Sequence, residues 1–407
     1  MNKSPRLVAL ETLYSIFYDG SYSNIALDKA LSDIKENKAF ISALVYGVTE
    51  RKITLDYFID KYAQGRIKPK VRIVLWLGVY QLLFMDKVPS SASINESVKL
   101  VKEIKQDYYS KLVNAVLHKI DNDRQIPDDL SVKYSVPENL INMWKKQYGE
   151  DVLNEFLPCI NDKPPLFAIP NKKFVNSDEL LYELECDGIL GEAYDEFVLI
   201  ENANDLTDSK AFKNGLFYIE DLSSFNCANA LDALADDLVL DMCSAPGGKA
   251  FTISQSMNNS GKIYCYDLHE HRLNLIKNSA KRLSIDNIYT DVNDATVYNE
   301  NIPKADKILC DVPCSGFGII RRKPEIRYKD LDSVKDLPQI QYKILETSSR
   351  YLKDGGRIIY STCTLNKKEN ENVVNKFLKD HSGYKLLKDK TVFPSTVGGD
   401  GFYYAIM

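Results

Sequence analysis

The chain has 407 residues, 44% hydrophobic and 27% charged, two to three times the usual domain of roughly 100–200 residues; both a single small core and general disorder are excluded. Its 52 Lys and Arg stand against 57 Asp and Glu, a net charge of −5, yet residues 1–125 hold 19 basic against 14 acidic residues, so a cationic surface is expected at the N-terminal end. The apolar stretch 71–84 is interrupted by Arg72, Gly78 and Gln81, short of the roughly 18 clean residues of a membrane span.

No small-residue cleavage pattern follows the first ten residues, and the eight cysteines include no CxxC pair. A cytoplasmic protein with reduced thiols and no metal is expected.

From Arg6 to about Ile120, apolar residues recur at three- and four-residue spacing, as in Leu7, Leu10, Leu13 and Ile16, and predict an all-α domain over 1–128. Pro89 to Ser93 reads as a loop before a helix starting near Asn95. Residues 129–205 predict linker helices and a small α+β insert, with strands at 165–170 and 196–200. From 206 to 407, strands at 238–240, 262–266, 288–290, 307–310 and 357–360 alternate with helices at 249–257, 271–283 and 339–352. That alternation predicts a doubly wound α/β sheet.

Three strand ends carry the chemistry. After 238–240 comes Asp241-Met242-Cys243-Ser244-Ala245-Pro246-Gly247-Gly248-Lys249, whose paired glycines let backbone approach a ligand. A phosphate loop is disfavoured, because Cys243 and Ala250 stand where that motif needs glycine and a hydroxyl residue. Asp267 ends the next strand, where a carboxylate can accept ribose hydroxyls, and Asp294 falls after the third, within reach of an adenine amino group. The last two strands lead into Asp311-Val312-Pro313-Cys314-Ser315-Gly316 and Ser361-Thr362-Cys363-Thr364. Cys159, Cys186, Cys227, Cys265 and Cys310 are expected to be buried small hydrophobes, and Asn366 with Glu369 reads as a capping box for the following helix.

These motifs resemble the Sun/Fmu-type RNA cytosine-C5 methyltransferases, and the likeness spans nearly the whole chain, including Arg321 to Tyr328 and Gly399-Asp400-Gly401-Phe402. It implies a multidomain protein: an all-α NusB-like N-terminal domain, a small α+β (RRM-like) insert and a C-terminal Rossmann-like methyltransferase domain. It implies S-adenosylmethionine held by Cys243, Ser244, Ala245, Pro246, Gly247, Gly248, Lys249, Asp267, Asp294 and Asp311. It also implies Cys363 as nucleophile, Cys314 as the group assisting release, and small-subunit ribosomal RNA as substrate of a monomeric enzyme. The insert has Ala168-Ile169-Pro170-Asn171 where the family commonly shows Arg-Val-Asn, which predicts a lost phosphate or base contact.

The assignment fits the chemistry. Carbon 5 of cytosine is a poor nucleophile until a thiolate adds at carbon 6, so covalent catalysis is required and two positioned groups serve addition and release. Asp311 is expected at the cytosine edge, and Lys249 to hold the base or favour a thiolate. Arg321, Arg322, Lys323, Arg327 and Lys329 form one expected cationic collar for RNA phosphates; Lys61, Arg66, Lys68, Lys70 and Arg72 form another, with no acid inside the run. Two other readings stay open: a DNA enzyme with Cys314 as nucleophile, and a non-catalytic RNA-binding or antitermination factor.

Overall fold

The helical spacing of the first 120 residues is realised as helices Pro5–Tyr18, Ser23–Leu31, Lys38–Tyr62, Pro69–Phe84, Ser90–Glu103 and Ser110–Asp121. The computed structural model describes residues 3–202, 206–394 and 398–407. Pro5 and Pro69 lie in first turns, where a missing amide costs nothing. Pro69–Phe84 is apolar on nearly every side, with Val71, Val74, Leu75 and Trp76 buried, and is wrapped by its neighbours.

The fifth helix begins earlier than its sequence suggests. Pro89 is its N-cap, and the serines that looked like loop punctuation turn inward: Ser93 Oγ donates to Gly78 O at 3.0 Å and Ser97 Oγ to Ser93 O at 2.8 Å. Their hydroxyls find partners inside the helix pair, so they break nothing.

Contacts gather Met1–Asp162 with Ile320–Lys329 into one compact unit, and Lys163–Ile319 with Asp330–Met407 into another. Neither boundary falls at 128/129 or 205/206. Helices Leu130–Tyr134, Glu138–Tyr148 and Glu150–Phe156 belong to the helical unit, where Ile53 N donates to Ser135 Oγ at 2.9 Å.

Segment Ile320–Lys329 is held in the helical unit by buried polar contacts. Arg327 is 0% exposed; its Nη1 donates to Glu50 O at 2.8 Å, Ser135 O at 3.2 Å and Asn161 Oδ1 at 2.9 Å. Ser23 N and Oγ donate to the Glu325 carboxylate, and Tyr328 OH donates to Thr49 O. The expected phosphate contact by Arg327 is therefore corrected: its guanidinium ties backbone carbonyls together and has no surface for a phosphate. Arg321 is likewise buried. Arg327→Met is expected to lower the unfolding free energy of the helical unit by roughly 2–4 kcal/mol, read by denaturant unfolding. The salt slope of RNA affinity should stay unchanged, since no phosphate contact is lost.

The second unit starts with a four-stranded sheet: β1 (Leu166–Pro170), β2 (Gly191–Ala193), β3 (Val198–Ile200) and β4 (Phe217–Ile219), in the order β2-β3-β1-β4. Every pairing in it is antiparallel. The insert thus runs past 205, because β4 pairs with β1 through Ala168↔Ile219. Asn171, in the atypical family motif, is buried and donates to Gly215 O and Leu283 O.

The larger sheet contains β5 (Leu238–Asp241), β6 (Lys262–Asp267), β7 (Ile288–Val292), β8 (Ala305–Asp311), β9 (Leu352–Thr362), β10 (Lys388–Val392) and β11 (Phe402–Ile406). Its order is β7-β6-β5-β8-β9-β11-β10. β5 to β9 pair in parallel, while β11 runs antiparallel to β9 and β10 antiparallel to β11. The order reverses between β5 and β8, and at such a switch point the loops part and leave a crevice beyond the carboxyl ends of the strands.

Candidate active site

β5 ends on Asp241 and turns through 242–247 into helix Gly248–Ser256. Gly247 has φ +109°, a left-handed conformation that side chains resist, and a Cβ there would lie 2.8 Å from the Phe251 ring. A cavity of about 370 Å³ opens over the loop. Cys243 to Pro246, Gly248, Lys249, Asp241 and Asp311 line one side; Tyr218, Glu220 and Asp221, at and after β4, line the other.

Asp241 is 1% exposed, and neither carboxylate oxygen has a hydrogen-bond partner among the described residues. Burial pushes its pKa up to about 7, against a smaller opposing pull from Ser244. A buried carboxylate facing a cavity without a partner suits a cationic ligand. Glu220 is similar: burial, offset in part by Lys249, raises it to about 7, and Thr252 Oγ1 donates to it at 2.5 Å. Burial alone would lower the Lys249 pKa, but Asp311 and Glu220 outweigh it and move it upward. Lys249 Nζ donates to Asp311 Oδ2 at 2.7 Å, which fixes this cation on Asp311.

The other strand-end acids lie outside that cavity. Asp267 is nearly buried, ion-paired to Arg272 at 3.0 Å, and accepts from His269 N. Asp294 is exposed, accepts from Thr296 N and Oγ1, and lines a shallower depression with Leu268, Val292 and Tyr298.

The two thiols meet. β8 and β9 are parallel neighbours with Asp311 opposite Ser361, and Ser361 Oγ donates to Asp311 Oδ1 at 2.9 Å. Beyond the strand ends, Cys314 Sγ and Cys363 Sγ lie 3.3 Å apart, both half-buried. The hydrogen bond with Cys363, then burial, push the Cys314 thiol well up from its ordinary value.

Behind the thiols the loops are laced together. Gly318 N donates to Cys363 O at 3.1 Å, Gly401 N donates to Gly318 O at 2.9 Å, and Ser315 Oγ lies 2.7 Å from Thr364 Oγ1. Glu369 is 0% exposed and accepts from Ser315. The capping-box reading is corrected here: the helix starts at Glu371 with Asn370 as N-cap, and the Glu369 side chain reaches into the Cys314 loop instead. Of the five cysteines expected to be buried, Cys227, Cys265 and Cys310 are, while Cys159 is half-buried and Cys186 exposed. Glu220 and Glu369 were missed as site residues; an acid directly after the short apolar run 217–219 was the available signal for Glu220.

The second basic set is partly neutralised by acids from elsewhere in the helical unit. Lys61 pairs with Asp123 at 2.7 Å, Arg72 with Asp56 and Asp60, and Lys68 donates to Gln106. Lys70 lies over the Tyr14 ring, and Arg66 is exposed.

A parallel sheet whose order reverses beside a cavity, extended past β9 by the antiparallel pair β11 and β10, with two thiols on the β8 and β9 loops, is the architecture of a Rossmann-like methyltransferase domain. The model of the family described as 16S rRNA methyltransferase RsmB/F matches residues 228–407, and that of the NusB family matches 3–122. A Bacillus subtilis (strain 168) protein, named Probable ribosomal RNA small subunit methyltransferase B, is 33% identical over 441 residues, covering 99% of this chain and 98% of its own. The Ribosomal RNA small subunit methyltransferase B of Photorhabdus laumondii is 28% identical over 98% and 97% of the two chains. Among solved structures, PH0851 aligns with TM-score 0.83 at 27% identity, covering 100% of this chain and 99% of its own. The chain belongs to the 16S rRNA methyltransferase RsmB/F family, with a NusB-like helical domain at its N-terminal end.

Proposed function

We propose that the chain methylates carbon 5 of a cytosine in small-subunit ribosomal RNA through a transient Cys363–cytosine bond. The observation that carries this reading is the 3.3 Å contact of two thiols beyond the ends of adjacent strands, with Asp311, three residues before Cys314, lining the cavity over the β5 loop. When bound, S-adenosylmethionine supplies the sulfonium methyl group. Cys243 to Lys249 with Asp241 and Asp311 would hold it in the cavity, and Asp267 and Asp294, outside that cavity at the next two strand ends, would take the parts that extend beyond it; the partnerless buried carboxylate of Asp241 supports a cationic occupant.

The chain's own groups act on the base. The Cys363 thiolate adds at carbon 6, breaking the 5,6 double bond and making carbon 5 nucleophilic. After methyl transfer the carbon-5 proton leaves, the double bond reforms and the sulfur departs as thiolate, with Cys314 assisting directly or through water. Asp311 and Lys249, ion-paired at 2.7 Å, would orient the cytosine edge as charge builds on the ring. Transfer of labelled methyl from S-adenosylmethionine to 16S rRNA, with the product mapped as 5-methylcytosine, tests the reading. Label at another atom or another base contradicts it.

Cofactor binding should depend on pH. Folding raises the Asp241 pKa from 3.8 to about 7, so the group's contribution to stability is full below about pH 4 and is lost as pH rises toward 7. A bound cation favours the carboxylate and displaces its proton. Affinity for S-adenosylmethionine is therefore expected to rise by up to about tenfold per pH unit between roughly 5 and 7. Titration calorimetry should find this slope reduced in Asp241→Asn, with Glu220 carrying what remains.

A further inference from the structure

The four donors on Glu369 single it out. Its carboxylate accepts from Ser315 N at 2.8 Å, Ser315 Oγ at 2.5 Å, Gln341 Nε2 at 3.0 Å and Asn366 Nδ2 at 2.8 Å. Ser315, Gln341 and Glu369 are all 0% exposed. Gln341 Nε2 also donates to Pro313 O at 3.0 Å, on the other side of Cys314.

Hydroxyl chemistry sets the direction of the chain. Ser315 Oγ has one proton and donates it to Glu369, so in its contact with Thr364 Oγ1 it must accept. Thr364, its proton committed, then accepts from Phe317 N at 3.2 Å. The sequence Phe317 N–H, Thr364 O–H, Ser315 O–H, Glu369 carboxylate thus crosses between the loops twice. It passes through the residue after Cys314 and the residue after Cys363. Only an acceptor on both oxygens completes it; an amide at 369 would set its own N–H against a donor.

Burying a carboxylate among neutral donors is a costly way to close a loop, and an aliphatic contact would fasten the helix as well. What the charge adds is a fixed lateral position for both sulfurs. Resting on the two-thiol reading above, we propose that Glu369 is the positioning residue that keeps Cys314 and Cys363 in contact, by gripping Ser315 directly and Thr364 through it.

The test compares wild type, Glu369→Gln and Ser315→Ala in the full chain. Diamide oxidises two neighbouring thiols to a disulfide and is itself reduced to the hydrazine, so the rate of Cys314–Cys363 bond formation, read by mass spectrometry, reports sulfur proximity without any methylation. Glu369→Gln should slow that bond by about tenfold or more and lower kcat for methyl transfer by about 100-fold, the usual cost of a misplacement near 1 Å. KM for RNA and Kd for S-adenosylmethionine should stay within about threefold, a split that general loosening does not produce. Should Glu369→Gln fail to fold, Ser315→Ala, which breaks the same chain one link earlier, is expected to give both effects at smaller size. Wild-type rates of disulfide formation and an unchanged kcat in a folded variant overturn the proposal. Absence of 5-methylcytosine with wild type would instead refute the assigned function, while the diamide rates still decide whether Glu369 positions the thiols.

Discussion

Cys363→Ser is expected to abolish methyl transfer, by roughly 10³-fold or more, with affinity for S-adenosylmethionine unchanged. Serine keeps the shape of the loop but supplies a hydroxyl, which carries almost no anion near neutral pH and adds poorly at carbon 6. Cys314→Ser should behave differently. Addition at carbon 6 and methyl transfer remain possible, and what is lost is the sulfur 3.3 Å from Cys363 that is proposed to assist release. The variant should turn over slowly and accumulate a protein–RNA adduct resistant to denaturing electrophoresis. The reverse pattern, adduct in Cys363→Ser and none in Cys314→Ser, transfers the nucleophile to Cys314 and favours the DNA-type arrangement.

Gly318→Ala carries the second large effect. A Cβ on Gly318 would lie 1.9 Å from Gly401 O and 2.8 Å from Cys363 O, and both obstacles are backbone atoms that cannot swing aside. Gly318 also joins these two segments through its own amide and carbonyl, so relief of the clash must move the Cys363 turn, the β11 approach or the Cys314 loop. Overpacking of this kind costs about 1–3 kcal/mol of stability, read by thermal unfolding. The catalytic cost should be larger, about 100-fold or more in kcat, because the displaced atoms belong to Cys363, the proposed nucleophile. Wild-type turnover in this variant would show that the two loops need not stay together.

The core of the catalytic unit was legible because parallel strands buried on both faces write short continuous apolar runs. Val239-Leu240, Ile308-Leu309-Cys310 and Ile358-Ile359-Tyr360 each lie fully buried in the sheet, and the motif residues follow directly at their ends. The terminal pair β10 and β11 was missed although Phe402 to Ile406 is buried throughout. Its partners are β9 and the polar Lys388–Val392, and a polar strand pairing at an edge has no apolar alternation to show.

Charge was the poorest guide. Arg327 and Lys323 look alike in a basic run, but one is fully buried under carbonyls while the other lies over the Tyr22 ring. What separates them is a pocket built by Glu50, Ser135 and Asn161, far away in the chain. Glu369 failed for a related reason. Asn366 and Glu369 satisfy a local capping template, and the partner that matters, Ser315, lies 54 residues earlier. Local rules find local partners; a buried carboxylate serving another loop is a tertiary fact.

Covalent attachment at Cys363 can be read directly: incubate Cys314→Ser with S-adenosylmethionine and 16S rRNA, digest protein and RNA, and sequence the nucleotide-bearing peptide by mass spectrometry. A methylated pyrimidine attached to the peptide containing Cys363 is the predicted result. Attachment at any other residue, or release of 5-methylcytosine with no covalent species at any time, would contradict it.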